Sequence, residues 1–355
     1  MVIPLLQPHA DEDDIQAVVD VLRSGWWGQG PVVEQFETEL ADRLGYAQAV
    51  TMNSATAALK IACTVAGVGP GTEVITTPLT FISTAAAVIY NGAKVVFADV
   101  DPDTLCIDWA DVRRKLTPKT RAVIPVDLAG HPAAETRPPL GDVTVIQDAA
   151  HSIGGFSYGD LQCVSFHPVK PVPTGDGGAL LTNSVEWATR ARALRWLGIG
   201  KSTWDRSRAR YNWQYEIQEL GDKCHWNDIF AALALSKLKK LGRDWARRQA
   251  VAERYGAELR GLVTLPATHP RHRWHLYVVR VPNRDQVAGR MLAQGISVGV
   301  HYQPLTYYTD IPGLAQPCPP VVASEWPRLL SLPIYPHMTV EDQDRVIAAL
   351  RQALL

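Results

Sequence analysis

Lys170 ends the run Ser165-Phe166-His167-Pro168-Val169-Lys170 and is followed by Pro171. Such uncharged company is poor for a solvated surface lysine and suits an amine whose pKa must fall before it acts. A glycine-rich stretch, Thr174-Gly175-Asp176-Gly177-Gly178, comes next, and an isolated acid, Asp148, precedes the run. Glycines let backbone approach a ligand closely or take positive φ. An amine to hold an aldehyde as a Schiff base, a carboxylate to keep a ring nitrogen protonated and neutral donors for a phosphate are what pyridoxal phosphate (PLP) needs. Candidates for all three are present. The plain alternative for Lys170 is a surface hairpin rich in Gly and Pro.

Asp148 follows directly on the strand pattern Val143 to Gln147, at a carboxyl edge, where open α/β sheets bind their ligands. A partly buried acid there needs a cation; a pyridinium would supply one, and the carboxylate would favour the protonated ring. Equally, Asp148 could cap a turn opened by Ala149-Ala150-His151. Asn53-Ser54-Ala55-Thr56-Ala57-Ala58-Leu59 begins a helix with hydroxyls and free amides, either an anion cradle or simple capping. Phe81, after Thr76-Thr77-Pro78-Leu79-Thr80, starts another helix and offers its ring to a planar cofactor or to the core.

The chain that must position these residues has 355 of them, more than one hydrophobic core of about 250–300 usually serves. Two domains are expected, a large PLP-binding one over 1–235 and a smaller α+β one over 236–355. The 35 basic and 36 acidic side chains nearly cancel, which leaves no global field to gather nucleic acid or anionic lipid and points to a small ligand. Cys63, Cys106, Cys163, Cys224 and Cys318 are scattered and odd in number, so no disulfide framework or zinc ribbon is suggested and a reducing cytoplasm fits. The opening Met1-Val2-Ile3-Pro4-Leu5-Leu6 is too short for a signal peptide, and no apolar run approaches the roughly 18 residues that cross a bilayer. Asp99-Val100-Asp101-Pro102-Asp103 imitates a calcium loop, but Thr104 stands where Gly is required and Ala110 where the closing Glu belongs. No metal is expected.

Ile15, Val18, Val19 and Leu22 at helical spacing, with acids before them and Gly25 after, predict a first helix over 11–24 with that apolar face inward. Gly28-Gln29-Gly30-Pro31 breaks the chain before a second helix, Val33 to Leu44, stopped by Gly45. Short β-branched runs at Glu73 to Thr76, Lys94 to Ala98, Ala122 to Val126 and Val143 to Ile146 alternate with helical patterns. Strands apolar on both faces belong to a mostly parallel sheet covered by helices, so the fold class is α/β. Strands at Gln162 to Phe166 and Ala179 to Thr182 extend it, and a helix runs from Val185 to Leu197. A long helix from Ile229 through Tyr255 connects to a part with strand signals at His275 to Val281 and Ile296 to His301 and a final helix from Val340. Basic and aromatic residues interleave between Gly200 and Tyr215 without a period; in a near-neutral chain they read as a loop at a dimer or substrate mouth.

Taken in order, these segments resemble the DegT/StrS family of nucleotide-sugar aminotransferases, PLP enzymes of fold type I, over almost the whole chain. The resemblance rests on Ser24-Gly25-Trp26-Trp27-Gly28-Gln29-Gly30-Pro31, Asn53 to Leu59, Thr77 to Phe81, Phe97-Ala98-Asp99-Val100-Asp101 and Asp148-Ala149-Ala150-His151. It continues through Ser165 to Lys170, Gly175 to Gly178, Asn227-Asp228-Ile229 and His301-Tyr302 to Leu332-Pro333. It implies that Lys170 is the Schiff-base lysine and proton shuttle and that Asp148 pairs with the pyridine nitrogen. It further implies that Ala55, Thr56 and Ser165 hold the phosphate, that Phe81 stacks on the ring and that His151 lies near the phenolic oxygen. Lys223 and His225, reaching from a second subunit, would complete the phosphate site of a homodimer, although the family often has Asn at the first position and Arg or Asn at the second.

The implied reaction is a two-stage transamination from L-glutamate to a nucleotide-linked keto-sugar, and the Gly-Trp-Trp-Gly-Gln-Gly-Pro opening favours a 4-keto-6-deoxy sugar. A sugar dehydratase, which in this family carries His in place of the lysine, and a catalytically silent regulator are the rivals. Two segments are shorter than the family's, Ala133 to Asp142 and Gly155 to Leu161. The first implies the loss of a covering helix, the second an altered pocket rim.

Overall fold

The computed structural model describes residues 2–200, 204, 216, 217 and 219–355. Its first helix, α1 (Glu12–Ser24), is closed by its own sequence: Asp11 and Asp14 form a reciprocal capping box, and Gly25 takes the left-handed turn at φ 78°. The buried face is not the apolar one expected. Ile15 and Leu22 are exposed, whereas Asp14 is buried and pairs with Lys237 and Lys240. A buried carboxylate must find cations, and only a helix distant in sequence supplies them.

Pro31 opens α2 (Pro31–Leu44), which buries Val33, Phe36, Leu40 and Leu44. Strands and helices then alternate: β1 (Gln48–Met52), α3 (Ala55–Val65), β2 (Glu73–Thr76), α4 (Ser83–Tyr90), β3 (Lys94–Phe97), α5 (Trp109–Lys115), β4 (Thr120–Ile124), β5 (Thr144–Asp148), β6 (Leu161–Ser165), β7 (Gly178–Thr182) and α6 (Val185–Leu194). α5 was not anticipated, because seven residues are too few to show a period. Between His131 and Val143 the chain holds no helix, as its shortness implied. α6 stops short of the expected end, and Leu197 beyond it turns at φ 57°.

The seven strands form one sheet in the order β1-β7-β6-β5-β4-β2-β3, with β7 antiparallel to both neighbours and the other pairings parallel. Register brings Met52 and Ser165 both opposite Gly178, and Asp148 opposite Cys163. The end of β1, the start of β7 and the ends of β6 and β5 therefore line one edge of the sheet. β5, β6 and β7 are buried throughout, which is why they read as continuous apolar runs.

α7 (Asp228–Glu258) crosses to a second core formed with β8 (Tyr277–Arg280), α8 (Arg284–Ala293), β9 (Leu329–Leu332) and α10 (Val340–Ala353), while Val322 of α9 (Pro320–Glu325) belongs to a cluster shared with Leu79 and Val100. β8 pairs antiparallel with β9, not with the run Ile296 to His301, which makes only isolated bridges to Ile3 and Ser331. Leu329-Leu330-Ser331-Leu332 is too short to announce itself by alternation, and the pairing is a tertiary choice. Ile3 packs into this second core and donates its amide to Gly295 O at 2.9 Å. Apart from Trp204, the basic and aromatic stretch 201–215 lies outside the described residues. Among the described residues no helix is long and apolar enough to cross a membrane and no cluster could hold a metal ion.

Candidate active site

The shared strand edge collects the residues of the site. Ser54 caps α3, accepting from Ala57 N at 3.2 Å, so the amides of Ala55 and Thr56 open the helix ahead of its first internal hydrogen bonds. This N-terminus is pressed against the sheet: a Cβ on Gly178 would lie 2.4 Å from Ala55 N. Only glycine permits that approach. Beside it, Ser165 Oγ accepts from His167 N at 3.3 Å and keeps its own proton to donate. The face of α4 is tied down by a 2.7 Å hydrogen bond between Thr56 Oγ1 and Ser83 Oγ.

Asp148 is buried at the end of β5, one strand and so roughly 4.8 Å from Ser165's strand. Its Oδ2 accepts from Thr84 Oγ1 at 2.9 Å and Oδ1 from Ala150 N at 3.2 Å. Burial raises its pKa above the usual carboxylate value against these donors and the charge of Lys170. It does bond Ala150 N, as the capping alternative expects, and among the described residues no cation is hydrogen-bonded to it.

Lys170 hangs from the loop between β6 and β7, whose neck is closed by Phe166 N to Gly177 O and Thr174 N to Phe166 O, both 2.9 Å. Gly177 takes φ 147° with Trp226 at 2.8 Å from where a Cβ would stand, and Trp226 stacks on Phe166. Nζ reaches inward to His275 Nε2 at 3.3 Å. Burial pushes the amine down to about 8, with Asp148 opposing.

His151 is buried, with Nδ1 accepting from Ala129 N at 3.2 Å and Nε2 3.1 Å from the hydroxyl of Tyr302. The backbone donor fixes the tautomer, so Nε2–H donates to Tyr302, and burial beside Lys170 holds the ring neutral. Phe81 lies just ahead of α4 rather than within it and is 56% exposed, its ring 5.9 Å from that of Tyr302. An aromatic left open at such a place is available to a planar ligand and not to the core.

The structure thus gathers Lys170, Asp148, His151, Ser165, Ala55, Thr56 and Phe81 along one edge. Lys223 and His225 are turned elsewhere. Cys224 O accepts from Asn53 N at 2.7 Å, so their segment passes the entry to α3, but Lys223 lies over Trp196 at 5.6 Å and His225 packs on the same ring at 4.1 Å. His225 and Trp196 line a cleft with Gly25 to Gln29. Thr84 and His275 are site residues that sequence reasoning missed: neither carried a motif, and each reaches the site from a different element. His301 and Tyr302 were quoted without a role. Nδ1 of His301 lies 2.8 Å from Ser331 Oγ, and burial near Lys170 lowers its pKa to about 4.

These residues fit PLP on the structure's own terms: a buried acid lacking a bonded cation, an amine of depressed pKa, an open aromatic ring and a helix N-terminus that a glycine lets approach. The chain matches the DegT/DnrJ/EryC1/StrS aminotransferase family over residues 8–351. It belongs to that family. It is 38% identical, over 98% of its length and 96% of the other's, to the spore coat polysaccharide biosynthesis protein SpsC of Bacillus subtilis. Spr1654 of Streptococcus pneumoniae, assigned as a sugar aminotransferase, superposes in its PMP form with TM-score 0.92 at 27% identity over 99% of both chains, and is also solved in a PLP form. The aminotransferase TlmJ of Streptoalloteichus hindustanus superposes with TM-score 0.87 at 30% identity over 100% of this chain and 99% of that one. The chain is accordingly a PLP-dependent sugar aminotransferase of fold type I.

Proposed function

We propose that the enzyme transfers the amino group of L-glutamate to a nucleotide-linked keto-sugar, with a 4-keto-6-deoxy sugar as first candidate, and works as a cytoplasmic homodimer. The observation that carries the chemistry is Lys170, an amine brought to about 8 by burial in a site that also holds the buried Asp148. Kinship to a protein of polysaccharide biosynthesis supports the sugar side. The exposed apolar side chains of Ile15, Leu22 and Trp27, on and beside α1, support a second copy.

PLP, when bound, supplies an aldehyde for the donor's nitrogen and a ring that holds the electrons of a broken C–H bond. In this proposal Asp148 holds the positive charge at the ring nitrogen, and Thr84 orients Asp148. The amides of Ala55 and Thr56 and the hydroxyl of Ser165 hold the phosphate, joined by Lys223 and His225 from the second copy. Phe81 and His151 confine the ring, with Tyr302 locking His151. Lys170 Nζ would take the α-proton of the donor and hold it for return across the donor's nitrogen, and would move a proton in the reverse sense for the keto-sugar. For the diphosphate the candidate is Arg271, which lies over Phe156 at 4.6 Å, since Arg273 is engaged with Trp245 at 3.6 Å and with Gly154 O.

The test is a panel of nucleotide keto-sugars with L-glutamate, read by the mass of the product. The parent should aminate at least one of them, and Lys170→Ala should lose about 10³-fold or more. A Lys170→Ala variant as active as the parent would refute the lysine's role. Amination of free keto-sugars or cyclitols only would refute the nucleotide-linked substrate.

A further inference from the structure

His275 has no role in the mechanism above, yet it is the first polar neighbour of the reacting amine. Its Nε2 lies 3.3 Å from Lys170 Nζ, the residue is 1% exposed, and Nδ1 is buried with no hydrogen-bond partner among the described residues. Both its ring and its backbone are held. His151 packs on it at 4.4 Å between centroids, and Arg248 donates to the carbonyls of Trp274 and His275 at 3.3 and 3.4 Å. Leu276 N, next along, donates to Ala129 O at 3.2 Å. His275 is thus fixed where the C-terminal part meets the large sheet, while Lys170 hangs from a loop.

A histidine meant to carry charge usually has a carboxylate at its far nitrogen. This one has none. The charged and titratable groups around the pair are Asp148, His151, His167 and His301 near Lys170, and Arg248 near His275. The imidazoles are all shifted toward the neutral form, and His275 strongly so. An ammonium has three donors and no acceptor, so while Lys170 is charged Nε2 must be the acceptor and the ring proton sits on Nδ1. A neutral amine still has N–H groups, and the same acceptor can keep one of them. The lone pair is then turned away from His275.

We propose that His275 is the positioning residue for Lys170: an acceptor that holds one N–H of the amine in both of the amine's protonation states and aims its lone pair into the site. The proposal rests on Lys170 being the reacting amine and adds what orients it.

A hydrogen bond from an ammonium is stronger than one from an amine, so this contact favours the charged lysine and its loss should lower the pKa. The cofactor-free, full-length chain is labelled with trace acetic anhydride across a pH series, and acetylation at Lys170 is read by peptide mass spectrometry. The parent should titrate near 8. His275→Phe keeps a flat ring against His151 but no acceptor, and should move the midpoint down by about one pH unit. His275→Gln, with an amide oxygen to accept, should restore it. Melting of each variant reports whether the fold is kept; if His275→Phe does not fold, His275→Leu carries the same expectation. A midpoint that stays or rises in a folded acceptor-less variant overturns the proposal, since a rise would mean that Nε2–H donates to the lone pair. No sugar or donor is present in this experiment, so a wrong substrate assignment leaves its outcome unaffected.

Discussion

Asp127 shows how single side chains behind the site set its behaviour. It is 0% exposed and accepts from Gln147 Nε2 at 2.7 Å, the Tyr158 hydroxyl at 2.7 Å, Ala133 N at 2.9 Å and the Ser152 hydroxyl. Ser152 follows His151, and the turn after Asp127 presents the Ala129 amide that His151 accepts. Four neutral donors do not replace a cation, and burial raises the carboxyl from 3.8 to about 6. The folded state therefore binds the proton more tightly than the unfolded chain. Stability from this group is fully present below pH about 4 and is lost as pH rises through about 6, by on the order of 3 kcal/mol. Thermal melts between those limits should lose stability with rising pH more steeply in the parent than in Asp127→Asn. Identical slopes would show that Asp127 does not titrate there.

Among the elements, the contact between α3 and the start of β7 bears most directly on the site. A methyl on Gly178 would strike Ala55 N at 2.4 Å and Ala55 Cα at 2.7 Å, all of it backbone that cannot swing aside. Gly178→Ala should push the α3 N-terminus off the strand edge at a cost of about 1–3 kcal/mol. If that N-terminus cradles the phosphate, PLP affinity should fall tenfold or more, roughly the loss of one charge-assisted contact. Equilibrium titration of the cofactor-free variant with PLP measures it, and unchanged affinity would place the phosphate elsewhere. The neck of the Lys170 loop is under a similar constraint, since a Cβ on Gly177 would lie 2.8 Å from the Trp226 ring.

At the scale of the whole molecule, the open question is what Lys223 and His225 serve. Within one chain both lie on Trp196, away from Lys170. In a homodimer with shared sites, mixing inactive Lys170→Ala with a His225→Ala variant crippled in cofactor binding should produce mixed dimers with one intact site each. After subunit exchange about a quarter of the parent's sites should be restored. No recovery, with exchange verified by mass, would mean that each site is built within one chain. The C-terminal part of the chain also matters to the site, because His275 and Tyr302 reach from it to residues carried by the large sheet.

The parts of this protein that are local in physics were legible from the chain itself. Strands buried on both faces read as apolar runs, glycines marked the ends of α1 and α2, and Asp148 at a strand end and Lys170 ahead of a glycine loop could be picked out one by one. Their order along the chain carried the family. What depended on distant partners was not legible. α1 buries Asp14 and exposes Ile15 because Lys237 and Lys240 lie behind it, and β8 chose Leu329–Leu332 over the run at Ile296 because strand pairing is settled across the fold. Thr84, His275 and Tyr302 carry no spacing that announces them. Their roles arise from hydrogen bonds between elements, and such bonds exist only once the sheet and the second core have come together.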